Sequence, residues 1–116
     1  MIPLHQLEDM FAGIAAGPGW NMQAPMLWGY FFTDASEDAL HALVPALEAQ
    51  GYRFVDVYMP DFDEGDEEFW MLHVEKEEVH SPASLHARNA DLDALADRHG
   101  LRSYDGMDVG PIAPRH

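Results

Sequence analysis

Six carboxylates fall within eight positions of the chain: Asp61, Asp63, Glu64, Asp66, Glu67 and Glu68 in the stretch DFDEGDEE. An apolar run, FWMLHV, follows at once. Clustered acids can hold a hard cation, meet a basic surface, or simply remain solvated. A calcium loop of the EF-hand type needs acids at its first, third and fifth positions, glycine at the sixth and glutamate at the twelfth. Counted from Asp61, those last three places hold Gly65, Asp66 and Leu72, so the spacing fails. The stretch reads as the solvated connection of a hairpin, whose like charges also discourage edge pairing.

His73, Glu75 and His80 in HVEKEEVH are the other ligand-like group. Strand alternation would place His73 and Glu75 on one face, with His80 in the loop beyond, which is a thin ligand set. Neither HExxH nor its inverse occurs. His99 reads as a complement to a helix C-terminus. There is no GxSxG elbow, and Ser36, Ser81, Ser84 and Ser103 mostly mark helix starts. No pair of carboxylates stands out as acid and base. The expectation is a chain with no catalytic residue, no metal and no cofactor.

The balance of charge sets the class of partner. Against 21 acids stand 6 basic residues, a formal net charge of -15. Arg53, Lys76, Arg88, Arg98, Arg102 and Arg115 are too scattered to track phosphates, so direct nucleic-acid binding and attraction to an anionic membrane are not expected. A basic protein or a cation is favoured. With 116 residues and 47% hydrophobic, the chain can bury one core, and with no cysteine it has neither disulfides nor thiolate chemistry. Glu8 and Asp9 break up the amino terminus, which reads as no signal peptide, and no run approaches a membrane span. A cytoplasmic protein is expected.

The elements that must position these residues follow from periodicity. Residues 3 to 16 form an amphipathic helix with Leu4, Leu7, Met10, Phe11 and Ile14 at helical spacing, stopped by Gly17-Pro18-Gly19. Trp20 is a candidate anchor in the linker that follows. LWGYFFT, 27 to 33, is a buried strand. Asp34 and Glu37 suggest a capping box for a helix that ends at Gly51 and that Pro45 should kink or split. YRFVDVYM, 52 to 59, and EFWMLHVEKEE make an antiparallel hairpin with Trp70, Leu72 and Val74 on one face. Ser81 and Pro82 open the clearest helix, with Leu85, Leu92, Leu95 and Ala96 buried, and Gly100 closes it. LRSYDGMDV, 101 to 109, is a last strand interrupted at Asp105-Gly106. The plan is α+β, a ferredoxin-like βαββαβ sandwich with an additional N-terminal helix. Helix and linker occupy 1–25, the ferredoxin-like domain 26–110 and a tail 111–116. Such a sheet has one open face, expected to carry Phe69, Met71 and His73 with either Phe54 and Tyr58 or their neighbours. The first helix, a second subunit or a partner would cover it.

From Leu27 to Gly110 the chain resembles the regulator of ribonuclease activity B family. The resemblance rests on YFF, ALEAQGYRFVDV, EFWMLHVEKEEVHSP and LDALADRHGLRSYDGMDVG, with VEKE and Tyr104-Asp105-Gly106 the most specific pieces. It implies a ferredoxin-like fold, no cofactor, no catalytic residues, and a bacterial protein that inhibits ribonuclease E by contact. The family pattern usually has tryptophan after YDG, where this chain has Met107. The first helix lies outside the residues that carry the resemblance.

The expected function is therefore a noncatalytic regulator that contacts another protein through an acidic surface. The binding candidates are Asp61, Asp63, Glu64, Asp66, Glu67, Glu68, Tyr104 and Asp105. The alternative is a small-molecule- or metal-binding domain, or an enzyme, that uses the open sheet face. A homodimer is compatible with either.

Overall fold

In the computed structural model, residues 2–17, 21 and 23–112 are described. Trp20, Pro18, Gly19 and the last four residues of the expected tail lie outside them. The elements are α1 (Leu4–Ala16), β1 (Met26–Asp34), α2 (Glu37–Glu48), β2 (Arg53–Tyr58), β3 (Trp70–Glu78), α3 (Pro82–Arg98) and β4 (Ser103–Gly110). The four strands form one antiparallel sheet in the order β2-β3-β1-β4. Among the described residues the fold is α+β, with three helices.

β1 lies between β3 and β4, so its alternation decides which face is core. Met26, Trp28, Tyr30 and Phe32 are buried and join Leu40, Leu43 and Leu47 of α2 and Leu85, Leu92 and Leu95 of α3 in a single cluster. Each fully buried aromatic removes enough apolar surface to contribute roughly 1.5–3 kcal/mol. On β3 the alternation expected from sequence holds: Leu72 and Val74 are buried, and Trp70 packs on the same cluster.

α1 packs along α3, with Leu7 buried in the core and Phe11 stacked on Trp28 at 6.0 Å. It therefore belongs to the helical side of the sheet. The opposite face, which α1 was a candidate to cover, carries no helix among the described residues.

Three local expectations are corrected. The cap of α2 is Ser36, whose side chain accepts from Ala39 N–H; Glu37 is then the first helical residue. Asp34 works two residues before the cap: its carboxylate accepts from Ser36 N–H at 2.9 Å and from Arg102 N–H at 2.9 Å, joining the start of α2 to the approach to β4. Pro45 does not split α2, which runs unbroken for 12 residues. The proline lies in the last turn on an exposed side, where the His41 carbonyl that its missing N–H leaves unbonded is open to water. The connection between β2 and β3 runs from 59 to 69, longer than the acidic stretch alone.

The edge strands each contain a bulge. On β2, Phe54 opposes Val74 and Asp56 opposes His73, leaving Val55 without a partner. On β4, Tyr104 opposes Phe32 and Gly106 opposes Phe31, leaving Asp105 without one. The expected interruption at Asp105-Gly106 is this bulge within a continuous strand, with Gly106 at φ +118°. One extra residue reverses the pleat beyond it.

Replacing Ser36 by alanine should lower stability by about 1 kcal/mol, the usual cost of an N-cap. Asp34→Ala removes the carboxylate that accepts from two backbone N–H groups and should cost at least as much. Urea unfolding followed by circular dichroism measures both.

Candidate functional site

The residues singled out by sequence separate into distinct places. The six loop carboxylates from Asp61 to Glu68 are all exposed. The loop is nonetheless folded: Phe62 and Phe69 meet edge to face at 4.9 Å, and Asp63 N–H donates to the Asp66 carboxylate at 3.1 Å. Gly65 turns the chain at φ +92°. Arg102 lies over the Phe69 ring at 4.4 Å and 3.6 Å from the Glu67 carboxylate, so the loop is fastened to the residue that precedes β4.

Tyr104 and Asp105 are neighbours in sequence but do different things. The Tyr104 hydroxyl donates to Asn89 Oδ1 at 2.6 Å, and its ring packs on Phe32 at 5.3 Å. Burial raises the phenol's pKa well above its usual value. Tyr104 thus holds β4 to α3, while Asp105 is exposed on the bulge. Met107 packs against the core and accepts from Asn89 Nδ2 at 3.6 Å.

His73, Glu75 and His80, the thin ligand set, are not brought together. His73 and Glu75 belong to the open face, whereas His80 is buried on the helical side. Among the described residues no three His, Asp or Glu side chains converge as metal ligands would.

His80 instead belongs to a partly buried polar assembly around Glu78. Arg88 donates to both Glu78 oxygens at 2.9 and 2.7 Å, the Tyr30 hydroxyl donates to the same carboxylate at 3.0 Å, and His80 Nε2 is in direct contact with it. His80 Nδ1 lies 3.0 Å from Ser84 Oγ, and Trp28 Nε1 donates to the Glu78 carbonyl. Arg88 also lies over Tyr52 at 5.5 Å. Burial by itself would raise the Glu78 pKa, but hydrogen bonds from His80, Arg88 and Tyr30 and the Arg88 charge outweigh it and hold the carboxyl at about 2. Burial raises the Tyr30 phenol, and Glu78 adds to the effect. Sequence reading named Ser84 a helix-start residue, which it is, at the third position of a capping box with Ser81. It missed Glu78, Arg88 and Tyr30. The available signal was the spacing of 10 between an acid at a strand end and an arginine inside the next helix.

The open face has a different character. Phe31 and His73, opposite one another in register, stack at 4.5 Å with 17° between their planes. Arg53 is ion-paired to Glu75. Tyr58 donates to Met71 Sδ at 3.1 Å. Burial lowers the His73 pKa, opposed by the charges of Asp108 and Asp56. A Cβ built on Gly29 would come within 2.8 Å of His73 Nε2 and closer still to Asp108 Oδ1, so this position admits no side chain without displacing them. Phe69 and Phe54, offered for this face from sequence, do not join it: Phe69 is engaged by Arg102 and Phe62, and Phe54 opposes core-facing Val74.

The family model for regulator of ribonuclease activity B matches residues 5–109, and the chain belongs to that family. The match includes nearly all of α1, which the sequence resemblance had left out. No curated protein matches the chain. The family assignment makes regulation of ribonuclease activity, and with it a protein partner, the functional frame for the geometry above.

Removing the Glu78 charge should be costly because it strands Arg88 in a partly buried site; Glu78→Gln should lose roughly 2–4 kcal/mol at pH 7. Because the folded-state pKa is depressed, this stability is present above the ordinary value of 4.5 and is lost as pH falls toward about 2. The gap between wild type and Glu78→Gln in urea midpoint should therefore narrow across that window. A gap independent of pH would show that Glu78 ionisation is not the source.

Proposed function

We propose that this chain is a noncatalytic regulator that inhibits a ribonuclease by protein–protein contact, with ribonuclease E as the target. The family match across 5–109 carries the reading. Charge supports the mode of action: a chain of net charge -15 is drawn to the basic surface with which a ribonuclease holds RNA and competes with RNA for it. The exposed carboxylates Asp61, Asp63, Glu64, Asp66, Glu67 and Glu68 sit on a loop whose base is fixed by Arg102, so they form a standing acidic projection. Asp105 lies on a second exposed point, and Tyr104 contributes by holding its strand in place. We also read the βαββαβ order with strands arranged β2-β3-β1-β4 as ferredoxin-like, and such a target would be met in the cytoplasm.

The test is cleavage of a fluorogenic RNA by ribonuclease E with and without the chain, alongside calorimetry. Inhibition should accompany binding, and affinity should fall by about tenfold as salt rises from about 0.05 to 0.5 M. Converting the six loop acids to their amides should slow association more than it speeds dissociation. Absence of contact at low salt would remove ribonuclease E as the target.

A further inference from the structure

The open face of the sheet has the aromatic centre of a nucleic-acid-binding sheet but the opposite electrostatics. Phe31 and His73 form its stacked centre, both half-buried. Asp56 stands directly across from His73 on β2, and Asp108 stands across from Gly29 on β4. These two edge-strand acids are turned toward this face by the bulges at Val55 and Asp105. Both are exposed, and among the described residues neither has a cationic partner. Arg53, which shares the face, is already held by Glu75. Beside the stack lies a shallow cavity of about 230 Å³ lined by Leu27, Gly29, His73, Glu75, Asp108 and Gly110.

We propose that this face recognises a basic segment of a partner protein, with an arginine guanidinium lying flat on the Phe31–His73 stack and flanked by Asp56 and Asp108. The proposal deepens the reading of the chain as a protein-binding regulator and rests on it. A planar, weakly hydrated guanidinium gains both from an aromatic surface and from carboxylates at its edge, which a compact ammonium does not. Single-stranded RNA would find rings for its bases, but its phosphates would meet Asp56, Asp105 and Asp108. Gly29 keeps the floor of the cavity clear, because any side chain there would displace His73 and Asp108.

The test is a nuclear magnetic resonance titration of the full ¹⁵N-labelled chain with three probes: an arginine–glycine octapeptide, its lysine–glycine counterpart and an oligouridylate. The arginine peptide should shift the amides of Gly29, Phe31, Asp56, His73 and Asp108 saturably and bind about fivefold tighter than the lysine peptide. The double variant Asp56→Asn, Asp108→Asn should weaken it about tenfold, while amides at the six loop acids should change it by less than about twofold. Gly29→Ala should also weaken binding at unchanged net charge; thermal midpoints check that each variant is folded. Shifts confined to the 61–68 loop, equal binding of arginine and lysine peptides, movement of the face by oligouridylate, or no binding at all would each overturn the proposal. The same double variant in the ribonuclease assay separates the two readings. Full inhibition by Asp56→Asn, Asp108→Asn overturns this surface and leaves the regulator reading standing. Failure of the wild type to inhibit, with arginine recognition intact, overturns the regulator reading instead.

Discussion

Glu78 is the point at which the sheet and the helices are joined by charge. Its carboxylate receives Arg88 from α3 and Tyr30 from β1, and it contacts His80 in the β3–α3 connection. Taking an acid and a guanidinium partly out of water is favourable only if their hydrogen bonds are nearly all satisfied. Here they are, and among the described residues no buried side-chain nitrogen or oxygen lacks a partner. The apolar cluster around Trp28, Tyr30 and Phe32 supplies driving force without direction, whereas the Glu78 assembly selects one angle of α3 on the sheet.

That division places the polar resources of the chain. The buried and half-buried polar groups hold the layers together: Glu78 with Arg88, Tyr104 with Asn89, and Thr33 with Ser103 at 2.6 Å. What remains for a partner is outside: the loop from 59 to 69 at one end of the sheet and the face around His73. This separation leaves the surface carboxylates free to be engaged without disturbing the core.

Much of this was legible in the sequence because periodicity and termination signals are local. The helix at Ser81-Pro82, the apolar alternation of Trp70, Leu72 and Val74, and the family resemblance all rested on residues close in the chain. The failures had another origin. Ser36 displaced Asp34 as the cap because Asp34 is also claimed by the Arg102 N–H, 68 residues away. Phe54 and Tyr58 have the same parity in sequence, so simple alternation puts them on one face; the bulge at Val55 puts them on opposite faces. Tyr104 was named only as a binding candidate, and its role as a brace was not legible because its partner Asn89 is a polar residue inside an apolar helical stripe. Each miss turned on a contact or a register that no local pattern encodes.

The two bulges also make the phase of each edge strand a carrier of information. If Val55 were paired into its ladder, Asp56 would move opposite Leu72 and turn toward the hydrophobic layer. If Asp105 were paired, Asp108 would move opposite Trp28 with the same result. The acidic face therefore rests on two residues that stay unpaired as much as on the acids themselves.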